Sequence, residues 1–585
     1  MTVGDAVVTA VRVVGVHWRT WLRTAVMLQV LAGLVAGPVI VLLLRAALAT
    51  AGVPALTEAS IGQLVRHPPA VLLLMLLAGV ATTAALVQHA AFVLLGRALF
   101  EGRIPRIREL AADGLAVARG LVGPHLGLVA LYVFVLVPLG GLQLGASLAR
   151  GIELPPFIAG ELQKTPLGTS VWLVGYAAVL LVNLRLAFVP VLLTTGTPPA
   201  AAFSASWRLS RRRVAGLAAL AAALWLGAAV VTGGLMLVTV GLARVMDAVW
   251  PSAAPVVAVS ALAAAQALLV VGGGLLAGFV SVVLLALSGT IAGPGPAPTA
   301  PAGRRLAAGA LALLLAGGAV NATALLAAGS GRTTAVVAHR GDTYGAVENT
   351  LESLEAAATL GADVVELDVL QAADGGLVVV HDTNLRRIAG VNREVAAMTT
   401  AELTATTVRQ GDHVGTIPTF EAFAARAAEL GVPLLVELKS HGREHGDLVG
   451  DVVAVLEQHD LVEGSLVQAF DRETVTEIES RFPEVTTGWV VAFSRGRLDP
   501  GVADFVTMEQ TSYSPAVLRQ AHAAGVAVYL WTVTDPVRMR VFIRDGVDGL
   551  ITGDPRSALH ERSAVDGEAG VADRLADTLR ALADW

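Results

Sequence analysis

The chain has 585 residues, of which 55% are hydrophobic and 15% charged, with a mean hydropathy of +0.68; that balance assigns a large part of it to lipid. A net charge of −6 argues against nucleic acid as a partner. The absence of cysteine excludes disulfides, thiolate metal sites and cysteine nucleophiles together.

Residues 1–23 carry Arg12, Arg19 and Arg23 among Val, Trp and Leu, the pattern of an amphipathic segment lying along a membrane surface. The apolar run that follows is too long for a signal peptide and ends in no small-residue cleavage site, so it reads as an uncleaved first span. Apolar runs of spanning length recur at 24–48, 70–96, 121–148, 169–194, 214–243, 256–290 and 306–329, which predicts seven transmembrane helices. One set of connections holds Arg12, Arg19, Arg23, Arg97, Arg103, Arg106, Arg108, Arg119, Arg208, Arg211, Arg212, Arg213, Arg304 and Arg305. It outnumbers the alternate set of Arg45, Arg66, Arg150, Lys164 and Arg244, which puts the N-terminus in the cytoplasm. Seven spans then leave the C-terminal half outside. Gln88, His89, Asn183, Arg185 and Gln266 fall inside the spans; the expected reading is local pairing with helix carbonyls or snorkelling to an interface.

From residue 333 the composition turns polar. Strand-like runs at 335–338, 363–369, 377–380, 433–438, 465–469, 485–491, 503–508, 526–531 and 548–551 alternate with helical patterns such as 350–360, 419–430 and 514–524. About 250 residues of alternating strand and helix predict a (β/α)8 barrel. The division expected is a polytopic all-α membrane domain over 1–332, a barrel over 333–560 and an amphipathic helical tail over 561–585, where Val571, Leu575, Leu579 and Leu582 share one face. The tail is expected to pack on the barrel, with the membrane surface as the alternative.

The chemistry-bearing residues cluster at the ends of these runs. Val336–Ala338 leads into His339-Arg340-Gly341, and Leu377–Val380 leads into His381-Asp382. Glu366 and Asp368, two apart on a strand, point to one face, where they repel unless a cation or proton lies between them. Glu437 ends a third run, with Lys439 on the same face. Three carboxylates and no thiolate suit one hard divalent cation, Ca²⁺ or Mg²⁺. Imidazole titrates near neutral pH, which makes His339 and His381 the candidate acid and base.

His339-Arg340-Gly341, Glu348-Asn349-Thr350, Glu366-Leu367-Asp368, His381-Asp382, Glu437-Leu438-Lys439, Trp531-Thr532-Val533 and Thr552-Gly553-Asp554-Pro555, in this order, resemble the glycerophosphodiester phosphodiesterase family. Two positions depart from its pattern and bear on substrate preference: Val347 stands where proline is usual, and Thr534 where asparagine often follows Trp-Thr-Val. The resemblance implies a (β/α)8 barrel with a small insertion, here 383–418. It implies acid–base catalysis by His339 and His381 and a cation held by Glu366, Asp368 and Glu437. Arg340, Glu348, Lys439 and Trp531 are the expected substrate contacts, with Gln468 a further candidate. The 1–332 layout resembles the membrane domain of some bacterial members, implying a multi-pass protein of the cell membrane with an extracytoplasmic barrel. The expected substrate is a glycerophosphodiester. The alternatives are a lysophospholipid, cleaved as by a lysophospholipase D, and a membrane binding or transport module without catalysis.

Overall fold

A computed structural model of the chain describes residues 1–31, 35–121, 166–289, 333–440, 444–568 and 570–583, with Gly127, Gly318, Ala322 and Leu325 as isolated positions. Two compact units emerge: residues 1–47, 68–326 and 570–585 form one, and residues 48–67 and 327–569 the other.

The first unit is helical. Four of its helical stretches among the described residues are long and apolar enough to cross a membrane: Pro68–Phe100, Pro166–Thr194, Val214–Val249 and Ala254–Ser288. They answer to four of the seven expected spans; the runs at 121–148 and 306–329 lie outside the described residues, apart from the isolated positions. The expected span at 24–48 falls on two 14-residue helices, Trp18–Leu31 and Gly37–Thr50, and includes residues 32–34, which lie outside the described residues. Pro38 lies in the first turn of the second helix, where a missing N–H costs nothing. The N-terminal segment does form a helix, Val3–Val16, capped by Thr2 and Asp5, and buries Ala6, Ala10 and Val13 along one face. That face joins the helical core with Trp21, Phe188 and Val282.

Among the described residues the second unit contains thirteen strands: β1 (Ala55–Thr57), β2 (Ala335–Ala338), β3 (Val364–Gln371), β4 (Leu377–Val379), β5 (Thr407–Gln410), β6 (His413–Thr416), β7 (Leu434–Leu438), β8 (Leu466–Ala469), β9 (Thr486–Val491), β10 (Ser494–Gly496), β11 (Phe505–Glu509), β12 (Ala527–Trp531) and β13 (Gly549–Thr552). Eight run parallel in the order β2, β13, β12, β11, β9, β8, β7, β3, and β3 pairs back onto β2 to close the barrel. β4 adds to β3 in antiparallel register, Val369 opposite Val379, and so returns the chain to the mouth just before His381. The segment 383–418 carries the β5–β6 hairpin and a satellite core around Val347, Leu385, Ile388 and Leu403.

Alternation along the strands fills the barrel. Val337, Val364, Leu435, Phe505 and Ile551 form an internal apolar plug, with Leu466 and Tyr529 packed against it, while the opposite faces carry Val365, Leu367, Val436 and Val506 into the layer under the helices. Gly488 is required here, because a Cβ would meet the Phe505 ring at 2.1 Å.

Two segments depart from the expected linear division. β1, between two helices of the first unit in sequence, pairs antiparallel with β10 inside the barrel unit. The tail helix, Ala572–Ala583, buries Val571, Leu575 and Leu579 against Ala243, Ala254, Ala258 and Leu262 of the helical unit, not against the barrel. Asp247 fastens it by accepting from the Val571 and Ala572 amides at 3.2 and 2.9 Å. The preceding helix, Pro555–Asp566, belongs to the barrel and runs past residue 560.

Candidate active site at the barrel mouth

Six residues of the mouth follow an apolar plug residue on the same face of a strand. His339 lies two residues beyond Val337, Glu366 and Asp368 two and four beyond Val364, Glu437 two beyond Leu435, Gln468 two beyond Leu466, and Trp531 two beyond Tyr529. The plug therefore seals the barrel from below and the next layer collects polar groups at the C-terminal mouth. Register does the rest, setting Asp368 opposite Glu437 and Glu437 opposite Gln468.

Glu366, Asp368 and Glu437 are all buried, and each offers a carboxylate oxygen within 4.8 Å of the others. Lys439 donates to Glu437 and lies 3.0 Å from Asp368. Asn349 Nδ2 donates to Asp368 at 2.8 Å and Gln468 Nε2 to Glu437 at 3.0 Å; Thr507 Oγ1 holds Gln468 by donating at 2.7 Å. Burial would raise the Asp368 carboxyl, but Lys439 and Arg340 outweigh it and hold it well below the usual range. Glu366 moves the other way: burial raises it strongly, and Asp368 and Glu437 add to the rise. Its Oε2 accepts the Arg340 backbone N–H at 2.8 Å. These oxygen donors fit a hard divalent cation, and Glu366 is the member whose charge the neighbouring cations compensate least.

The His-Arg-Gly turn is strained and tightly determined. Arg340 has φ 59° and Asn349 φ 59°, a region that non-glycine residues seldom occupy. The Arg340 carbonyl accepts from the Asn349 amide at 2.9 Å and from Ser353 Oγ at 3.0 Å, which pins the turn against the following helix. Gly341, at φ 83°, passes so close to Ser353 that a Cβ would stand 2.5 Å from its hydroxyl. Arg340 is thereby aimed inward, 3.0 Å from Glu348 and 3.1 Å from Asp368.

The histidines differ in setting. His339 Nε2 stands 3.9 Å from Glu366, and burial, helped by Arg340 and His381, lowers its pKa well below the ordinary value. His381 is partly exposed at the end of β4, and its Nδ1 donates to Asp382 at 2.8 Å. Burial raises the Asp382 carboxyl, but hydrogen bonds from His381 and Arg387 overcome it and hold it far below the usual range. Trp531 stands edge-on to Phe470, ring centroids 6.2 Å apart, and Lys439 lies 5.5 Å from the Phe470 ring centroid.

All nine expected site residues thus belong to the mouth of one barrel. Four further neighbours, Arg387, Asp382, Asn349 and Thr507, complete the site. Arg387 bridges Asp382 at 2.6 Å and Glu348 at 3.0 Å from inside the insertion, where no periodicity singles it out. Asp382, Asn349 and Thr507 hold His381, Asp368 and Gln468; the first two lie inside motifs already quoted, so adjacency was the available signal.

Two family descriptions match the chain. Residues 9–290 match the membrane domain of glycerophosphoryl diester phosphodiesterase, and residues 339–557 match the glycerophosphoryl diester phosphodiesterase family. A glycerophosphodiester phosphodiesterase of Caldanaerobacter subterraneus subsp. tengcongensis is 25% identical over 240 residues, covering 39% of this chain and 97% of that protein. A lysophospholipase D of Rattus norvegicus is 40% identical over 67 residues, 12% of this chain and 21% of that protein. Among solved structures, an Oleispira antarctica phosphodiesterase in complex with the product sn-glycerol-3-phosphate is 26% identical with a TM-score of 0.36, covering 40% of this chain and 98% of that one. The chain belongs to the glycerophosphodiester phosphodiesterase family, its helical part being that family's membrane domain and its barrel the phosphoric diester hydrolase.

Proposed function

We propose that the barrel hydrolyses glycerophosphodiesters to glycerol phosphate and an alcohol with the help of one divalent cation, Ca²⁺ or Mg²⁺, on the extracytoplasmic side of a membrane. The observation that carries this reading is the convergence of three buried carboxylates, two histidines, Arg340 and Lys439 at the mouth of the barrel.

Glu366, Asp368 and Glu437 would hold the cation, which when bound offsets the charge of the phosphodiester. Lys439 and Arg340, already ion-paired at the site, supply fixed positive charge to the same anion, and Arg340 can meet phosphate with two parallel N–H groups. His339, held neutral by burial, serves as the base that takes a proton from the attacking oxygen. His381 serves as the acid. With Nδ1–H bonded to Asp382, it presents Nε2 to the leaving oxygen, and the charged Asp382 carboxylate stabilises the imidazolium before the proton is given up. Arg387 keeps Asp382 charged and fixes Glu348, which in turn aims Arg340. Trp531 forms the apolar wall beside the glycerol or the leaving alcohol.

Tyr344 and Phe470, exposed on loops that follow β2 and β8, favour a second reading in which the substrate is a lysophospholipid taken from the bilayer. One assay separates the two. The full chain, purified in detergent, is offered glycerophosphocholine and lysophosphatidylcholine with Ca²⁺, Mg²⁺ or EDTA. Cation-dependent release of choline from the first alone supports the glycerophosphodiester reading, release chiefly from the second supports the lipid reading, and turnover of both in EDTA refutes the metal. The full chain is needed because residues 55–57 complete the barrel unit and the tail packs on the helical unit. Sidedness is testable because the chain has no cysteine: Val414→Cys, on exposed β6, should react with a membrane-impermeant maleimide in intact cells. Reaction only after lysis would place the barrel inside.

A further inference from the structure

Two arginine-rich connections lie among the described residues of the helical unit, and they are built differently. In the first, Arg97 pairs with Glu101 at 3.1 Å, and Arg103 lies 3.8 Å from Glu101 and 3.7 Å from Glu109. Arg97 and Arg103 are thus answered from within. The second joins the helices Pro199–Ser210 and Val214–Val249. There Arg208, Arg211, Arg212 and Arg213 line an open cavity of about 410 Å³ together with Ala205 and Leu209. Among the described residues no carboxylate pairs with Arg208, Arg211 or Arg212, all three of which are exposed, and the side-chain hydrogen bond of Arg213 goes to the Leu209 carbonyl at 2.9 Å.

Four guanidiniums around one concavity repel each other unless an anion enters it. Their forked donors match phosphate oxygens, and the wall between them is apolar. Trp207, 47% exposed, adjoins Arg208 in sequence, and the helix that leaves the turn is apolar and exposes Trp225, Leu226, Val230 and Val231. A phosphate group with acyl chains attached would satisfy both halves of this surface at once: the arginines by its head, the apolar helix by its tails. A freely diffusing phosphate would satisfy only the first.

We propose that the turn Arg208–Arg213 is a binding site for the phosphate head group of an anionic membrane lipid. The site belongs to the helical unit and does not depend on the chemistry of the barrel.

The test is native mass spectrometry of the full chain released from mixed micelles holding equal amounts of phosphatidylglycerol and phosphatidylcholine of the same acyl composition. Three proteins are compared: wild type, the triple variant Arg208→Gln/Arg211→Gln/Arg212→Gln, and the control Arg103→Gln/Arg106→Gln. The site predicts at least about a tenfold preference of wild type and control for the anionic lipid, lost in the triple variant. Equal retention of the two lipids by wild type, or an unchanged preference in the triple variant, overturns the proposal. Inorganic phosphate and glycerol 3-phosphate at millimolar concentration form a second arm. Failure to displace the lipid supports a head group anchored by its chains, and displacement by either identifies a site for soluble phosphate instead. Thermal unfolding of each variant checks that it is folded; since the substituted arginines are exposed, all three proteins are expected to melt together.

Discussion

The two units bury polar side chains in opposite ways. In the helical unit several are answered by backbone carbonyls close to them. Asn183 Nδ2 donates to the Val179 carbonyl and His89 Nδ1 to Ala85, both at 2.9 Å, one turn back along the same helix. Arg185 donates to the Trp207 carbonyl at 2.7 Å and stacks on the Trp207 ring at 4.4 Å. In the barrel unit the buried groups come from different strands, meet one another, and leave three carboxylates crowded within 4.8 Å. Local satisfaction serves the cost of crossing lipid, whereas crowding of like charge costs stability and persists where it prepares a site for something charged.

The comparison can be broken most directly at the histidines. His339→Ala and His381→Ala should each lower phosphodiester turnover by about 10²–10⁴-fold while leaving the melting temperature nearly unchanged. Equal activity in either variant would remove that histidine from the acid–base pair. Next comes Arg387→Gln, which leaves Asp382 and Glu348 without their shared partner. A loss of roughly tenfold to a hundredfold in kcat is expected, with about 1–3 kcal/mol of stability, the latter reduced from the buried-pair range because Arg387 is a quarter exposed. A drop in stability with no change in kcat would make it a structural tie only.

The crowding itself should be visible in the pH dependence of stability. The Glu366 carboxyl is raised in the fold by burial and by Asp368 and Glu437, so above the ordinary glutamate range the folded chain binds more protons than the unfolded one. This term favours the fold at acidic pH and is lost as pH rises through the raised value. Asp368 has the opposite sign, but its contribution changes only at and below the ordinary aspartate range. Under EDTA, Glu366→Gln should therefore stabilise the chain more at about pH 7.5 than at about pH 5.5, and the wild-type gain from Ca²⁺ or Mg²⁺ should follow the same order. A gain independent of pH would show that Glu366 is already ionised without the cation. The smallest effect belongs to the helical unit. Arg185→Gln gives up a carbonyl bond and a stacked ring, an expected cost of about 1 kcal/mol with turnover by the barrel unaltered. A large loss of turnover would mean that Arg185 takes part in function.

The alternation of apolar runs and helical patterns after residue 333 was enough to identify the barrel, because burial on both faces writes continuous β-branched strands into the sequence. The ends of those strands marked His339, His381, Glu366, Asp368, Glu437 and Lys439, since a two-residue step along a strand returns a side chain to the same face, whereas Glu348 rested on the family resemblance. The long apolar helices were equally legible, lipid demanding length and hydropathy over any particular residue. Other features had no local signal. That β1 pairs with β10, and that the tail packs on Ala243 and Leu262 and not on the barrel, depend on partners hundreds of residues away; an amphipathic face states that it will be covered and not by what. The role of Arg387 likewise arose from the insertion folding back over Asp382 and Glu348. The direction of each titration, with Glu366 raised and Asp368 lowered two residues away on the same strand, was set by where Lys439 and Arg340 reach, a matter of distance in space that only the tertiary structure decides.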